Sequence, residues 1–78
     1  MNLPLSIQSA LYENPWEGSM LWGVQIDEDG KIIFASLFTG RTAAIGYLDN
    51  ALNFPGRGEF YVLRNFLGVV SIVLYYAY

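Results

Sequence analysis

The sequence predicts a small α+β domain: an antiparallel sheet of four to five strands with one helix packed on one face, in the order (β)ββαββ. Three observations carry this. Two alternating segments flank an Asp-Gly turn, a stretch of helical periodicity follows them, and the chain closes on two β-branched and aromatic runs separated near a Leu-Gly pair.

The first element is open. Leu3, Leu5, Ile7 and Leu11 fit the alternation of a strand, the preferred assignment, while Leu3, Ile7, Ala10 and Leu11 fit one stripe of a helix. The following stretch, Glu13 to Ser19, is turn chemistry around Trp16. Next comes the clearest element, a hairpin in which MLWGVQID and KIIFASLF flank Glu28, Asp29 and Gly30. A two-residue turn at Asp29-Gly30 predicts the pairs Glu28–Lys31, Ile26–Ile33, Val24–Ala35 and Trp22–Leu37. One face is then apolar from Met20 to Leu37, and the other is mixed, with Phe34 and Phe38 beside Gln25 and Ser36.

From Thr42 to Asn53 the spacing predicts one helix, with Ala44, Ile45, Leu48, Ala51 and Leu52 on its apolar stripe. Thr42 is the expected N-cap, Thr39 the alternative. Pro55 and Gly56 end the helix near Asn53. Gly46 inside it implies either close packing on a neighbour or a short, marginal helix. Two strands follow, EFYVLRNF and VVSIVLYYAY, joined at Leu67-Gly68 or slightly earlier. Strict alternation puts Val70, Ile72, Leu74, Tyr76 and Tyr78 on one face of the last strand and Tyr75 on the other. Both faces lack charge, so this strand is either central or carries an exposed patch.

Seventy-eight residues allow one domain, 1–78. The apolar fraction is 54%, above the usual share of about 45–50%, and the 14% of charged residues is below the usual quarter or so. A chain this short cannot hide all of that apolar area, which points to a contact surface for a protein partner or for another copy of the chain. The net charge is −3, and Lys31, Arg41, Arg57 and Arg64 are scattered, so direct nucleic-acid binding is not expected. No positively charged start precedes a long apolar run at the N-terminus, and cytoplasmic localisation is the expectation. The apolar tail from Phe60 is interrupted by Arg64 and Asn65, and what remains falls short of the roughly 20 residues of a spanning helix; no membrane segment is expected.

Chemistry is poorly provided for. With neither His nor Cys, the chain has no zinc site of the usual kind, no thiol nucleophile and no imidazole base for any of its serines. Glu13, Glu17 and Glu59 have no neighbour to tune a catalytic pKa. We expect no enzyme, no cofactor and no metal. Asp27, Glu28, Asp29 and Gly30 depart from a calcium loop, which would begin at Gln25 and end at Ser36; the cluster suits a solvated turn or a basic partner. Pro55-Gly56-Arg57-Gly58 follows a helix instead of opening one, so it is not a phosphate-binding loop. The candidate partner-binding residues are therefore Trp16 and Tyr75 as aromatic anchors, Arg57 and Arg64 as polar companions, Phe34 and Phe38 on the mixed sheet face, and Asp27, Glu28 and Asp29 at the acidic tip.

Two resemblances bear on function. The run VQIDEDGKIIFASLFTG followed by RTAAIGYLDNAL resembles the strand, Asp-Gly turn, strand and helix of HicB-type antitoxin domains. ASLFTGRTAAIG stands here where those domains carry a Pro-Gly-Cys-type segment and an acidic helix start. DGKIIFA, TAAIGYLDNAL and the closing strands together resemble the hairpin, helix and hairpin of small phage-encoded anti-CRISPR proteins. That second resemblance implies a compact acidic inhibitor that binds a subunit of a host defence complex and blocks nucleic-acid access or nuclease recruitment. The expectation is a non-enzymatic protein-binding module acting by surface contact, the alternatives being a homo-oligomer built through the aromatic last strand or a HicB-like antitoxin domain.

Overall fold

A computed structural model describes residues 3–13, 16 and 20–78. Along the chain run α1 (Leu5–Glu13), β1 (Leu21–Asp27), β2 (Ile32–Phe38), α2 (Arg41–Gly46), α3 (Leu48–Leu52), β3 (Gly58–Phe66) and β4 (Val69–Ala77). The strands form one antiparallel sheet in the order β2-β1-β3-β4. Each hairpin contributes one central strand and one edge. The α+β class and the antiparallel sheet expected from the sequence are both present, with four strands.

The first strand of the expected layout is instead the helix α1. Its stripe is the helical one: Leu3 and Ile7 are buried and Leu11 packs beside them, against Val24, Ile26, Tyr61 and Leu63 of the central strands. Leu5, which only the strand reading would bury, is exposed. The cause is tertiary: β1 and β3 carry apolar residues on both faces, so both faces need cover, and an extra edge strand would have covered neither. Helices consequently lie on both sides of the sheet instead of one.

On the opposite side, Leu21, Phe38, Phe60 and Val62 pack with Ala44 and Ala51 of α2 and α3. The single expected helix is broken in two at Gly46–Tyr47. Of the alternatives Gly46 offered, the short-helix one holds: nothing lies near the place a Cβ would take there. The break lets Tyr47 lie over the sheet, its ring centroid 5.7 Å from Phe34 and 4.9 Å from Phe38. The N-cap is Gly40, not Thr42 or Thr39, and it makes no side-chain capping bond. Asn53 is the C-cap of α3, so the stop before Phe54-Pro55 falls where the sequence put it.

Trp22–Leu37 and Val24–Ala35 pair as expected, but Ile26 pairs with Ile32, not Ile33. The turn is longer than the two-residue form. The Gly30 amide donates to the Asp27 carbonyl at 3.0 Å, the Asp27 amide donates to the Lys31 carbonyl at 2.9 Å, and Gly30 takes φ 79°. This is a type I turn closed by a glycine bulge, and its extra residue slips the register by one. Asp27 stabilises it further: its Oδ1 accepts from the amides of Asp29 and Lys31, each at 2.9 Å.

The second hairpin turns at Leu67-Gly68, both at positive φ. Its ladder carries a β-bulge at Val73: Val62 pairs with Leu74, but Leu63 pairs with Ile72. One extra residue inverts the alternation beyond it. Val70 and Ile72 therefore share the α1 side with Tyr75 and Ala77, and Leu74 and Tyr76 lie on the α2–α3 side. This corrects the strictly alternating faces read from the sequence.

Candidate contact surface

The pairing of β1 with β3 ends at Arg64, whereas β3 and β4 continue to their turn, so the segment from Asn65 to Val70 overhangs the sheet as a finger. The α1 side of the finger is anchored. Asn65 Nδ2 donates to the Trp16 carbonyl at 2.6 Å, and Val70 packs against the core cluster that contains Trp16. The other side and the tip are bare: Phe66 is 67% exposed, Leu67 86% and Val69 68%. Leu67 also holds φ 52°. With Gly68 at 81° this is the turn type that takes Asn, Asp or Gly at its first central position, because a left-handed conformation costs an ordinary L-residue about 1–2 kcal/mol. A strained and exposed leucine stands where asparagine would be more stable.

Along the edge, β4 carries no charged residue and exposes Ile72, Tyr75 and Tyr76. Tyr75 is tied inward by its hydroxyl. Glu59 accepts from Tyr61 at 2.7 Å through Oε2 and from Tyr75 at 2.9 Å through Oε1. Burial, then the hydrogen bond and charge of Glu59, pushes the Tyr61 phenol well above its ordinary range. Tyr75 is raised too, first by its bond to Glu59. Raised phenol values mean that the folded state prefers the neutral form, so their contribution is complete below about pH 10 and is lost as pH rises above it. We expect the urea midpoint to hold steady from pH 7 to 9 and to fall above pH 10, with a shallower fall in Tyr61→Phe. An unchanged slope in that variant would assign the alkaline loss to other groups.

The residues read from the sequence as contacts are dispersed by the fold. Trp16 is only 8% exposed, its Nε1 donating to the Met20 carbonyl at 2.9 Å and its ring 5.7 Å from Trp22. Of its turn, Asn14, Pro15 and residues 17–19 lie outside the described residues. Phe38 is buried and Phe34 half-buried under the α2–α3 layer, so that face is core. Asp27, Glu28 and Arg57 do come together, lining an open cavity of about 400 Å³ with Pro4, Glu59 and Tyr78 at one end of the sheet. Asp29 is exposed beside them. Arg64 is exposed on β3, paired across the ladder with Ser71 and close to the finger. The finger itself was not singled out from the sequence, although a leucine directly before the turn glycine was the signal available.

Among the described residues no group of three or more carboxylates could hold a metal ion, and no helix is long and apolar enough to cross a membrane. The apolar tail forms β3 and β4 instead. Fold and surface together define a class: a small antiparallel sheet between two helical layers, with an apolar finger and one uncharged edge. Comparison with known protein families, with characterised proteins and with solved structures finds no match to this chain.

Proposed function

We propose that this chain is a non-enzymatic protein-binding module that works in the cytoplasm by surface contact, with the β3–β4 finger as its principal contact. The observation that carries this is Leu67. It is strained, almost fully exposed and flanked by Phe66 and Val69, and local rules are broken in this way where function outweighs stability. An apolar anchor of this kind fits a pocket on a protein, with Arg64 as a polar neighbour at the rim. The more specific proposal follows the hairpin, helix and hairpin resemblance: an inhibitor of a host defence complex, of the phage-encoded anti-CRISPR kind.

Leu67→Asn separates function from stability. It relieves the left-handed strain and is expected to raise the unfolding free energy by about 1 kcal/mol while weakening binding. In cells with an active CRISPR–Cas system, the wild-type chain should restore transformation by a targeted plasmid, and the better-folded Leu67→Asn should not. No rescue by the wild type would sink the inhibitor reading. Equal retention of the same lysate proteins by wild type and Leu67→Asn would sink the finger as the contact.

A further inference from the structure

We propose that two copies of this chain join their sheets by antiparallel pairing of their β4 edges, about a two-fold axis passing between Val73 and Leu74. The inference rests on the reading of the chain as one that works by surface contact, and it names one of the partners. Gly58 and Tyr78 exchange both backbone hydrogen bonds, each at 3.0 Å. Along an antiparallel ladder such pairs alternate with non-bonded ones, whose backbone groups point away from each other. Counting back from Tyr78, Tyr76 and Leu74 face β3, and Tyr75 and Ala77 face outward. Counting forward from the tight turn, Val69 and Ser71 face β3, and Val70 and Ile72 face outward. The bulge at Val73 joins the two phases.

The outward set is therefore 70, 72, 75 and 77, and its spacing reads the same in both directions. A regular foreign strand presents outward groups at every second residue and falls out of phase at the bulge. A second β4, run antiparallel, stays in phase throughout: Val70 meets Ala77 of the other copy, and Ile72 meets its Tyr75. Faces agree as well. Ile72 and Tyr75 both lie on the α1 side, and Ser71 and Tyr76 both lie on the other, so each exposed side chain meets one from its own side. Charge agrees too, because β4 carries none of the acidic residues of a chain whose net charge is −3. The opposite edge, β2, lacks this symmetry, since its register slip falls at one end, beside Ile32. Pairing takes up only Val70 at the base of each finger and leaves the tips, Phe66 and Leu67, free at opposite ends of a continuous sheet.

Because the chain has no cysteine, the register can be read by cross-linking. In this arrangement Ser71 and Tyr76 of the other copy form a non-bonded pair, with Cα atoms about 4.5 Å apart and within disulfide range. Within one chain the same residues are about 16 Å apart along the strand and cannot bridge. Ser71→Cys/Tyr76→Cys should oxidise to a covalent dimer, while either single variant and the out-of-register Val70→Cys/Tyr76→Cys should not. Light scattering should show a concentration-dependent dimer for the wild type. Ile72→Pro, which removes only an outward amide, should remain folded by circular dichroism and be monomeric. A wild type that stays monomeric to millimolar concentration, or equal cross-linking in both double variants, overturns the pairing. The finger is judged separately by Leu67→Asn, whose dimerisation should match the wild type.

Discussion

Phe60→Ala is expected to lower the unfolding free energy by about 3–5 kcal/mol, the range for truncating a fully buried aromatic ring. Native domains as a class have only about 5–15 kcal/mol to lose, and short chains lie toward the lower end. Phe60 is fully buried on central strand β3, among Leu21, Phe38, Val62, Ala44 and Ala51. It holds two layers together. Its ring also reaches the space above Gly23, where an added Cβ would meet Phe60 Cζ at 3.4 Å and collide with Phe38. The neighbours that would have to collapse into the cavity are two alanines and rigid strand residues, so little of the volume refills and the cost falls toward the top of the range. Urea unfolding followed by tryptophan fluorescence measures it. Phe66→Ala, on the exposed finger, is the comparison and should stay within about 0.5 kcal/mol of the wild type. A Phe60→Ala cost below about 1 kcal/mol would contradict its place in the core.

The contrast between those two phenylalanines shows what the sequence could and could not disclose. The first hairpin was legible because Asp-Gly turn chemistry is local, but the pairs furthest from the turn, Val24–Ala35 and Trp22–Leu37, match only because a second irregularity, between Gln25 and Ile26, restores the register that the longer turn slips. The slip to Ile32 was not, since Asp-Gly serves both the two-residue turn and the glycine-bulge turn. In the last strand no pattern marked the bulge, because both faces are uncharged and, Ser71 apart, apolar or aromatic, so an inverted alternation looks like a normal one. Residues 3–12 fit two periods, and what decided between them was the uncovered face of β1 and β3, a fact of tertiary packing. Trp16 gave a related difficulty. A tryptophan in turn chemistry suggests an exposed anchor, yet its indole N–H finds the Met20 carbonyl and its ring a place beside Trp22. Aromatic and charged residues were read as contacts by type; the fold sorted them by cover.

Among the described glycines, Gly58→Ala should be the most damaging methyl addition, costing about 2–6 kcal/mol from two sources. Gly58 opens β3 opposite Asp27 and pairs through its backbone with Tyr78. The Tyr78 side chain reaches β1, where its hydroxyl accepts from buried Gln25 Nε2 at 2.7 Å and lies 3.4 Å from the Ile26 carbonyl. A Cβ on Gly58 would collide with that carbonyl and come 2.6 Å from the Tyr78 hydroxyl. A backbone oxygen of a central strand has little room to move, so the overpacking term is about 1–3 kcal/mol. Displacing the tyrosine also strands the Gln25 amide, adding the cost of an unsatisfied buried donor, about 1–3 kcal/mol. The two sources are separable. Tyr78→Phe removes only the hydroxyl and should cost the second amount alone. In Gly58→Ala/Tyr78→Phe the amide is already unpaired, so the double variant should cost less than the sum of the singles by at least about 1 kcal/mol. Strict additivity in that cycle would mean that the glycine answers only to the Ile26 carbonyl, and that the tyrosine crosses it without depending on it.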